Sequence, residues 1–343
     1  MQFHLPQAPA KRLASRWLAA ILLAAPALAP AAVELKYASA APPGSIFAKQ
    51  VERLAAEIGE ETKGEIKVVP FHNSQLGTET DVIAQIVRGR LDMGGFGSAT
   101  LALQVPEVAL LQLPFYFDDV AQRDCVLDNH ARPLLAQALE KKGLKLMTWG
   151  ESGALQIIGK KPYASPADVR GIKAGIFANK ANTDFWQRLG ANPVPVTTPE
   201  VASAMQTGLI DTMTTVAVFY VPSGWNKIAP VMTKLDMSIA LTINVINKKT
   251  YDGWSPELRA AFDRGVAKTP LATVRKEIRD FNEVMYKAHT DGGGTIAAVT
   301  PAQRGECQKG MQAYWTGVAK EIGPAGEKML AALEAGKQAC GRK

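Results

Sequence analysis

The chain has 343 residues, of which 47% are hydrophobic and 21% are charged, and its formal net charge is +7. A chain of this length and composition can bury the core of one large or two medium α/β domains. Its Lys and Arg residues form no block interleaved with aromatic residues, so the sequence does not indicate nucleic-acid binding. We therefore expect a mildly basic globular protein.

The N-terminal region has the three parts of a signal peptide. Basic residues precede an apolar run at 17–28, and small residues follow that run. The basic residues are Lys11, Arg12 and Arg16. The alternative is a membrane anchor, but the run is shorter than the ~20 residues that a membrane-spanning helix needs. We predict a cleavable leader over residues 1–32 and a mature chain that is exported to the periplasm.

The cysteines are Cys125, Cys307 and Cys340. In an oxidising compartment one pair can be bridged. Because Cys307 and Cys340 lie on the two helical segments of the C-terminal tail, we predict that pair, with Cys125 as an inert, buried thiol. The four histidines are scattered, and none has ligand spacing to a cysteine. We therefore expect neither a metal nor a cofactor.

The mature chain begins with alternating strands and helices. Apolar patterning predicts strands at 33–39, 65–71 and 91–97. Ser45 and Thr78 are predicted to cap the helices between them, because a hydroxyl at the N-cap accepts a hydrogen bond from the first turn. Such alternation favours a parallel-rich sheet covered by helices.

A second set of elements repeats this alternation. Strands are predicted at 144–150 and 154–160, and the stretch 169–215 predicts a strand, a helix, a strand, a helix and a strand. Thr198-Pro199 is predicted to start the second of these helices, with a hydroxyl cap and a proline in the first turn.

The longest predicted elements lie in the C-terminal part. A strand at 236–249 is long enough to cross between two domains. After Ser255-Pro256, apolar residues keep helical spacing for about thirty residues, with a kink expected at Pro270. A helix of that length indicates a spine packed across two lobes. Two tail segments start at Thr300-Pro301 and Gly323-Pro324.

Four blocks of the sequence carry a family resemblance. They are ETKGEIKVVPFHNSQLGTETDVIAQIVRGRLDMG (61–94), LLQLPFYFDD (110–119), SPADVRGIK (165–173) and LGANPVPVTTPEVASAMQTGLID (189–211). Taken together and in this order, they resemble the DctP-type substrate-binding proteins of TRAP transporters. The resemblance covers essentially all of the mature chain.

The resemblance implies a two-lobed α/β periplasmic binding protein of class II type, with mixed sheets and a long helix that spans both lobes. Lobe I is expected over 33–152 and 241–280, and lobe II over 153–240 and 281–343. A small molecule binds in the cleft, and the lobes close around it. The implied function is that of an extracytoplasmic solute receptor, monomeric and not an enzyme, that delivers its ligand to the membrane subunits of a TRAP-type transporter.

The resemblance also locates a ligand pocket, with changes. Family members usually clamp a ligand carboxylate with an arginine after a GxKxR strand, since a guanidinium donates two hydrogen bonds to a carboxylate. GIKAG places Gly175 there. A second family arginine corresponds to Leu155, and positions that are often polar correspond to Ala40, Gly97 and Thr215. The glycines at positions 97 and 175 are expected to leave space. We predict an arginine-free pocket.

Other residues are candidates for ligand contact. Trp149, Phe177 and Phe219 end strands that face the presumed cleft, although core packing is the alternative for each. Lys180, or backbone N–H groups near Asn179, could hold an anion in place of the arginine. For Lys180, the alternative is a solvated helix residue. The preferred ligand is an organic acid with an aromatic or apolar body.

Two other functions stay open. A receptor of this kind can report to a signalling partner instead of a permease, and the sequence does not separate these roles. An enzyme on the same fold is the other alternative. However, the sequence has no GxSxG elbow, no HExxH motif and no Cys–His signature. We predict no catalytic residue.

Overall fold

The computed structural model describes residues 1, 2, 4, 32–177 and 180–341. The predicted leader falls almost wholly outside these residues, and so does Asn179. Ala32–Lys343 form one compact unit, and Met1–Ala31 are assigned to another. No helix among the described residues is long and apolar enough to cross a membrane.

The strands of the described residues form two mixed sheets, as predicted. In chain order the strands are β1 (Val33–Ser39), β2 (Ile66–Phe71), β3 (Met93–Gly97), β4 (Leu144–Ala154), β5 (Gln156–Gly159), β6 (Lys173–Ile176), β7 (Asn192–Pro195), β8 (Thr212–Thr215), β9 (Val231–Lys234), β10 (Ile239–Asn247) and β11 (Thr295–Ala298). The first sheet has the order β2-β1-β3-β10-β4, and the second has the order β11-β9-β5-β8-β6-β7. In the first sheet β1 is parallel to β2 and β3, whereas β10 is antiparallel to β3 and β4.

Helices cover both sheets. They are α1 (Ile46–Glu61), α2 (Glu79–Val87), α3 (Ser98–Leu101), α4 (Val120–Val126), α5 (Arg132–Glu140), α6 (Pro166–Val169), α7 (Lys180–Arg188), α8 (Val201–Thr207), α9 (Ala217–Tyr220), α10 (Lys248–Asp252), α11 (Pro256–Ala267), α12 (Leu271–Asp291), α13 (Pro301–Gln308), α14 (Met311–Ile322) and α15 (Pro324–Cys340). A 3-10 segment at Pro106–Gln112 and a π turn at Leu127–Ala131 add to the helical structure between β3 and β4. This region has no element predicted from the sequence.

Two predicted helix caps are confirmed. Ser45 Oγ accepts a hydrogen bond from the backbone N–H of Ala48 at 3.2 Å, and Thr78 Oγ1 accepts one from Asp81 at 3.3 Å. Each hydroxyl satisfies one of the N–H groups that the first turn of a helix leaves without a partner.

Two other helix boundaries differ from the prediction. The cap predicted at Thr198 lies one residue earlier, because the Glu200 carboxylate accepts from the backbone N–H of Thr197 at 2.7 Å. The long C-terminal helix is interrupted at Pro270, which is extended and precedes α12. Proline lacks the N–H that a continuous helix would need there. The 21-residue helix α12 remains the longest in the described residues.

The chain passes between the two sheets at crossing segments that are bonded to each other. One runs from β4 to β5 through Leu155, and the other runs from β9 to β10 through 235–238. The Leu155 N–H donates to the Ser238 carbonyl at 2.7 Å, and the Met237 N–H donates to the Leu155 carbonyl at 3.3 Å. These bonds fix the position of the residues between the sheets.

A buried ion network holds α12 against β4 and α4. Arg279 Nε of α12 lies 2.8 Å from Glu151 Oε1 of β4, and its NH2 group lies 2.6 Å from Asp124 Oδ2 of α4. Arg123 also pairs with both carboxylates and is itself 3% exposed. One turn earlier, Arg275 binds Asp128 through two hydrogen bonds of 2.7 and 2.8 Å. The arginine forks thus join three elements that lie far apart in sequence.

The predicted disulfide is wrong. The bond joins Cys125 to Cys340, whose Cα atoms are 5.9 Å apart, and the free thiol is Cys307. The reason is the path of α15, which returns along α4 and brings its last residue beside Cys125. Cys307 on α13 instead points into the core with its Sγ 3.8 Å from the Ala164 carbonyl, and burial raises the pKa of its thiol to about 11.

The predicted lobe boundaries stay a prediction. The strands of the first sheet come from 33–154 and 239–247, and those of the second come from 156–234 and 295–298. The change of sheet at Leu155 lies close to the predicted boundary.

Removing the Cys125–Cys340 bond should lower stability. Cys125→Ala or Cys340→Ala is expected to cost about 2–4 kcal/mol in the free energy of unfolding, because the unfolded chain loses a long loop constraint. The melting temperature of the unsubstituted protein should fall on addition of dithiothreitol. Cys307→Ala is the control and should keep that sensitivity to reductant. Loss of the sensitivity in Cys307→Ala would place the bond at Cys307.

The ion network should also show in the pH dependence of stability. Burial works to raise the pKa of Asp124, but Arg123, Arg279 and Arg275 together hold that pKa below its ordinary value. A carboxyl group with a lowered pKa contributes stability above about pH 4, and the contribution is lost as the pH falls through the lowered pKa.

Asp124→Asn should therefore destabilise the protein by about 3 kcal/mol at pH 7, since it leaves buried arginine charge uncompensated. The difference from the unsubstituted protein should shrink below about pH 4 in urea titrations. Asp280→Asn is the control, because its partner Lys276 is exposed and the pair contributes about 0.5 kcal/mol or less. An equal effect of both variants would contradict the importance of the network.

Candidate functional site

A cleft lies between the two sheets at the crossing segments. It encloses about 540 Å³, part of which is open to solvent. On the side of the first sheet it is lined by α3 and by the 3-10 segment at 106–112, and on the side of the second sheet by α7 and β8. The crossing residues Leu155, Met237 and Ser238 line it between these walls. Clefts at the junction of two α/β halves commonly bind small molecules.

Part of the wall is apolar and rigid. Phe185 and Trp186 of α7 meet at a ring distance of 5.7 Å, and Phe185 meets Tyr314 of α14 at 6.3 Å. The Tyr314 hydroxyl donates to the Ala181 carbonyl at 2.9 Å, which joins α14 to α7. These rings are buried in the main core and form the apolar backing of this part of the lining.

Gln112, the last residue of the 3-10 segment, is fixed on the opposite wall. Its side-chain Oε1 accepts a hydrogen bond from Ser98 Oγ of α3, and its backbone carbonyl accepts one from Ser238 Oγ at 3.0 Å. Ser98, Gln112 and Ser238 all line the cleft, and so do Asn182 and Thr214. The polar groups of the lining are therefore hydroxyls and side-chain amides.

No Lys or Arg residue lines this cleft within the described part of the chain. Arg304, near the crossing segments, donates to the carbonyls of Leu235 and Asp236, and its guanidinium lies 5.0 Å from the centre of the Phe115 ring. The cation of Arg304 is thus held by backbone and by an aromatic face.

Lys180, the candidate cation, is paired with two carboxylates. Its side chain is 60% exposed and forms ion pairs with Asp184 at 2.7 Å and with Glu321 at 3.1 Å. The hydrogen bond to Asp184, followed by that to Glu321, raises the pKa of Lys180. These contacts agree with the alternative given for Lys180, that it is a solvated residue on the surface of a helix.

A smaller hollow of about 220 Å³ lies beside the first-strand loop and contains Ala40 and Glu79. The Glu79 carboxylate accepts hydrogen bonds from the Gly97 N–H at 3.1 Å and from Thr100 Oγ1 at 2.9 Å. Burial raises the pKa of Glu79. An acidic side chain thus lies against the ligand position predicted at Gly97.

The two glycine positions differ. A Cβ on Gly97 would have Glu79 Oε2 as its nearest neighbour at 4.0 Å, so this position has the expected space. A Cβ on Gly175 would lie 2.6 Å from Ile210 Cδ1 and 3.3 Å from Met213 Cβ. The expectation of space at Gly175 is wrong, because the buried side chain of Ile210 fills it.

The three aromatic candidates, Trp149, Phe177 and Phe219, have different surroundings. Trp149 is 1% exposed in the main core, and its Nε1 donates to Asp128 at 3.2 Å, so core packing describes it. Phe177 is half-buried against the core of the second sheet, and its carbonyl accepts from Asn182. Phe219 of α9 stacks on Phe47 of α1 with ring centres 5.3 Å apart.

The remaining candidates are Leu155, Thr215 and Asn179. Leu155 lines the cleft, as the resemblance implied for its position. Thr215 is buried at the end of β8 opposite Gln156, whereas its neighbour Thr214 reaches the cleft. Asn179 lies outside the described residues. A ligand role for these residues stays a prediction.

Of the described residues that line the cleft, Leu155 is the one that the sequence predicted, and Gln112, Phe185 and Tyr314 are among those that it did not. Gln112 directly precedes the LPF motif in LLQLPFYFDD. This block carries part of the family resemblance, but nothing in it marks Gln112 as a residue of the site. Phe185 and Tyr314 lie in amphipathic helices, where an aromatic residue on the apolar face looks like ordinary core.

The fold and the cleft define a two-lobed solute-binding protein. Residues 37–321 match the family model DctP, described as "Bacterial extracellular solute-binding protein, family 7". The match covers most of the chain, and the protein belongs to this family.

Individual relatives agree with this assignment. The chain is 31% identical over 203 residues to the 2,3-diketo-L-gulonate-binding periplasmic protein YiaO of Escherichia coli. The aligned region covers 59% of this chain and 62% of that protein. A solute-binding protein of Chromohalobacter salexigens is 31% identical over 50% of this chain and 51% of its own. The chain thus matches between half and two thirds of the length of these two relatives.

A solved structure shows the same fold. A TRAP periplasmic solute-binding protein from a Bradyrhizobium species, in complex with D-galacturonate, has a TM-score of 0.81 and 27% identity. The similarity covers 89% of this chain and all of that one.

The contact between Gly175 and Ile210 can be tested by a double-mutant cycle. Gly175→Ala should destabilise the protein by about 1–3 kcal/mol, because the added methyl group overpacks the site. Ile210→Ala should relieve part of that cost in the double variant, giving a coupling between the two positions. Gly97→Ala is the control and should be nearly neutral. Additive effects at Gly175 and Ile210 in urea denaturation would contradict the contact.

Proposed function

We propose that this protein is the solute receptor of a TRAP-type secondary transporter. It binds a small organic ligand in the cleft between the two sheets and delivers it to the membrane subunits. The observation that supports this most is the cleft itself, which lies at the crossing segments of a chain that belongs to a solute-binding family. A related structure with D-galacturonate bound adds support for a ligand of sugar size.

Binding involves the closure of two lobes. We propose lobe I over 33–152 and 241–280 and lobe II over 153–240 and 281–343, with the crossing segments as the hinge. The stack of Phe47 on Phe219 supports this, because it joins a helix beside β1 to a helix that follows β8. Such a contact between the two halves is available only when they lie close together.

The activity is binding and not chemistry. The cleft hydroxyls of Ser98 and Ser238 donate their hydrogen bonds to Gln112. A nucleophilic serine would instead donate to a base, as in a serine–histidine pair. The hydroxyls therefore position a side chain and do not form a catalytic pair.

A ligand is held here without a guanidinium clamp. The resemblance implies an organic acid, and any ligand of this cleft would be bound through backbone N–H groups and neutral side-chain donors. The structure of the Bradyrhizobium protein with D-galacturonate favours ligands with several hydroxyl groups. The cleft described here offers such groups the hydroxyls and amides of its lining.

A variant that fills the cleft should abolish binding. Ala109 lines it, and Ala109→Trp would occupy a large part of the space. A ligand at a hundred times its Kd stabilises the unsubstituted protein by about 2.7 kcal/mol, which is measurable as a shift in Tm. In Ala109→Trp this shift should be lost, with Kd raised at least tenfold.

Ala335→Trp is the matched control, because Ala335 is exposed on α15. It should bind as the unsubstituted protein does. The panel consists of C4 to C6 acids, sugar acids and aromatic acids, together with their neutral analogues, and titration calorimetry gives Kd. Equal binding by both tryptophan variants would place the site elsewhere in the molecule.

A further inference from the structure

We propose that the cleft selects an uncharged ligand: a compound with an apolar or aromatic body and a neutral carbonyl or hydroxyl group that accepts a hydrogen bond from the side-chain amide of Gln112. This inference rests on the proposed receptor function and specifies its ligand class. It departs from the organic acid that the sequence favours.

The first support is the geometry of Gln112. Its Oε1 is occupied by the proton of Ser98, and its backbone is fixed by Ser238. With Oε1 used as an acceptor, the Nε2 group remains as a donor at the wall of the cleft. The side chain is half-buried, and its hydrogen bond to Ser98 uses Oε1 and not Nε2. A donor fixed in this way costs little entropy when it binds a ligand carbonyl.

The second support is electrostatic. A carboxylate that enters the cleft loses hydration, and this loss is offset only by a cation or by several strong donors. The cations nearby are already paired, since Lys180 binds Asp184 and Glu321. A neutral ligand avoids the cost of this lost hydration.

The third support is the apolar wall. Phe185, Trp186 and Tyr314 form a connected edge-to-face group, and Leu155 completes it at the crossing segment. Leu155 stands where the resemblance implied a second arginine. The replacement adds apolar surface at a position that would otherwise bind an anion. A wall of this kind favours a ring or a branched aliphatic body over a short chain that bears charge at both ends.

The test compares acids with neutral analogues of the same shape. The mature chain, residues 33–343, is titrated with phenylacetamide and phenylacetate, succinamide and succinate, and the methyl ester of galacturonic acid and galacturonate. Isothermal titration calorimetry gives the ratio of the two Kd values within each pair. We expect the neutral member of at least one pair to bind ten times or more tightly than its acid. We also expect its Kd to be insensitive to salt between 20 and 300 mM, which are about 20 and 6 Å in screening length.

Two variants identify the groups responsible. Gln112→Glu keeps an acceptor for Ser98 but removes the Nε2 donor, and it should weaken the neutral ligand at least tenfold. Gln137→Glu, on the exposed face of α5, is the control for the added charge and should bind normally. Leu155→Arg introduces a cation into the cleft and should reverse the preference toward the acid of the same pair.

The outcomes separate this inference from the proposed function. Tighter binding of the acids by the unsubstituted protein would overturn the inference and leave the receptor function standing. Binding of neither member of any pair would overturn the receptor function for ligands of this size, and the inference with it. Unchanged binding of the neutral ligand by Gln112→Glu would remove Gln112 from the site. Because the decisive ratio is measured on the unsubstituted protein, it does not depend on the folding of any variant.

Discussion

The ion network between α12, α4 and β4 is the constraint on which the rest of the molecule depends. Glu151 belongs to the last part of β4, directly before the chain crosses to the second sheet, and it is 2% exposed. Two arginines from different elements neutralise it, so the crossing strand cannot shift without separating buried charges. The network therefore sets where Leu155 stands, and Leu155 and its partners set the floor of the cleft.

The same arrangement explains why the cleft itself can be neutral. The arginines that lie near the crossing segments are used for architecture: Arg123, Arg275 and Arg279 hold the long helix, and Arg304 holds the backbone before β10. The charged side chains are thus concentrated around the crossing segments, and the lining of the cleft offers hydroxyls, amides and rings. In this protein ion pairs hold the crossing region, and the described lining of the cleft carries no Lys or Arg side chain.

Much of the fold could be predicted from local patterns. Caps such as Ser45 and Thr78 act within one helical turn, so the donor and the acceptor are close neighbours in the sequence. The disulfide could not be predicted in the same way, because Cys125 and Cys340 meet only through the packing of α15 on α4. The site was predicted in part. The resemblance located Leu155, which lines the cleft, but Gln112 depends on Ser98 and Ser238, which approach it from distant parts of the chain. The contact of Ile210 with Gly175 likewise depends on tertiary packing and could not be predicted from the sequence pattern.

The C-terminal helices have a mechanical consequence. Tyr314 of α14 is bonded to Ala181 beside the second sheet, while its neighbour Trp315 donates to the Pro114 carbonyl at 2.9 Å on the other side. Further along, α15 is tied covalently to α4. Helices α14 and α15 thus form a further connection across the crossing segments, in addition to the crossing strands and α12. A connection of this kind would limit the closure that we propose for the two lobes, so removal of α15 would alter the range of that closure and not merely trim the surface.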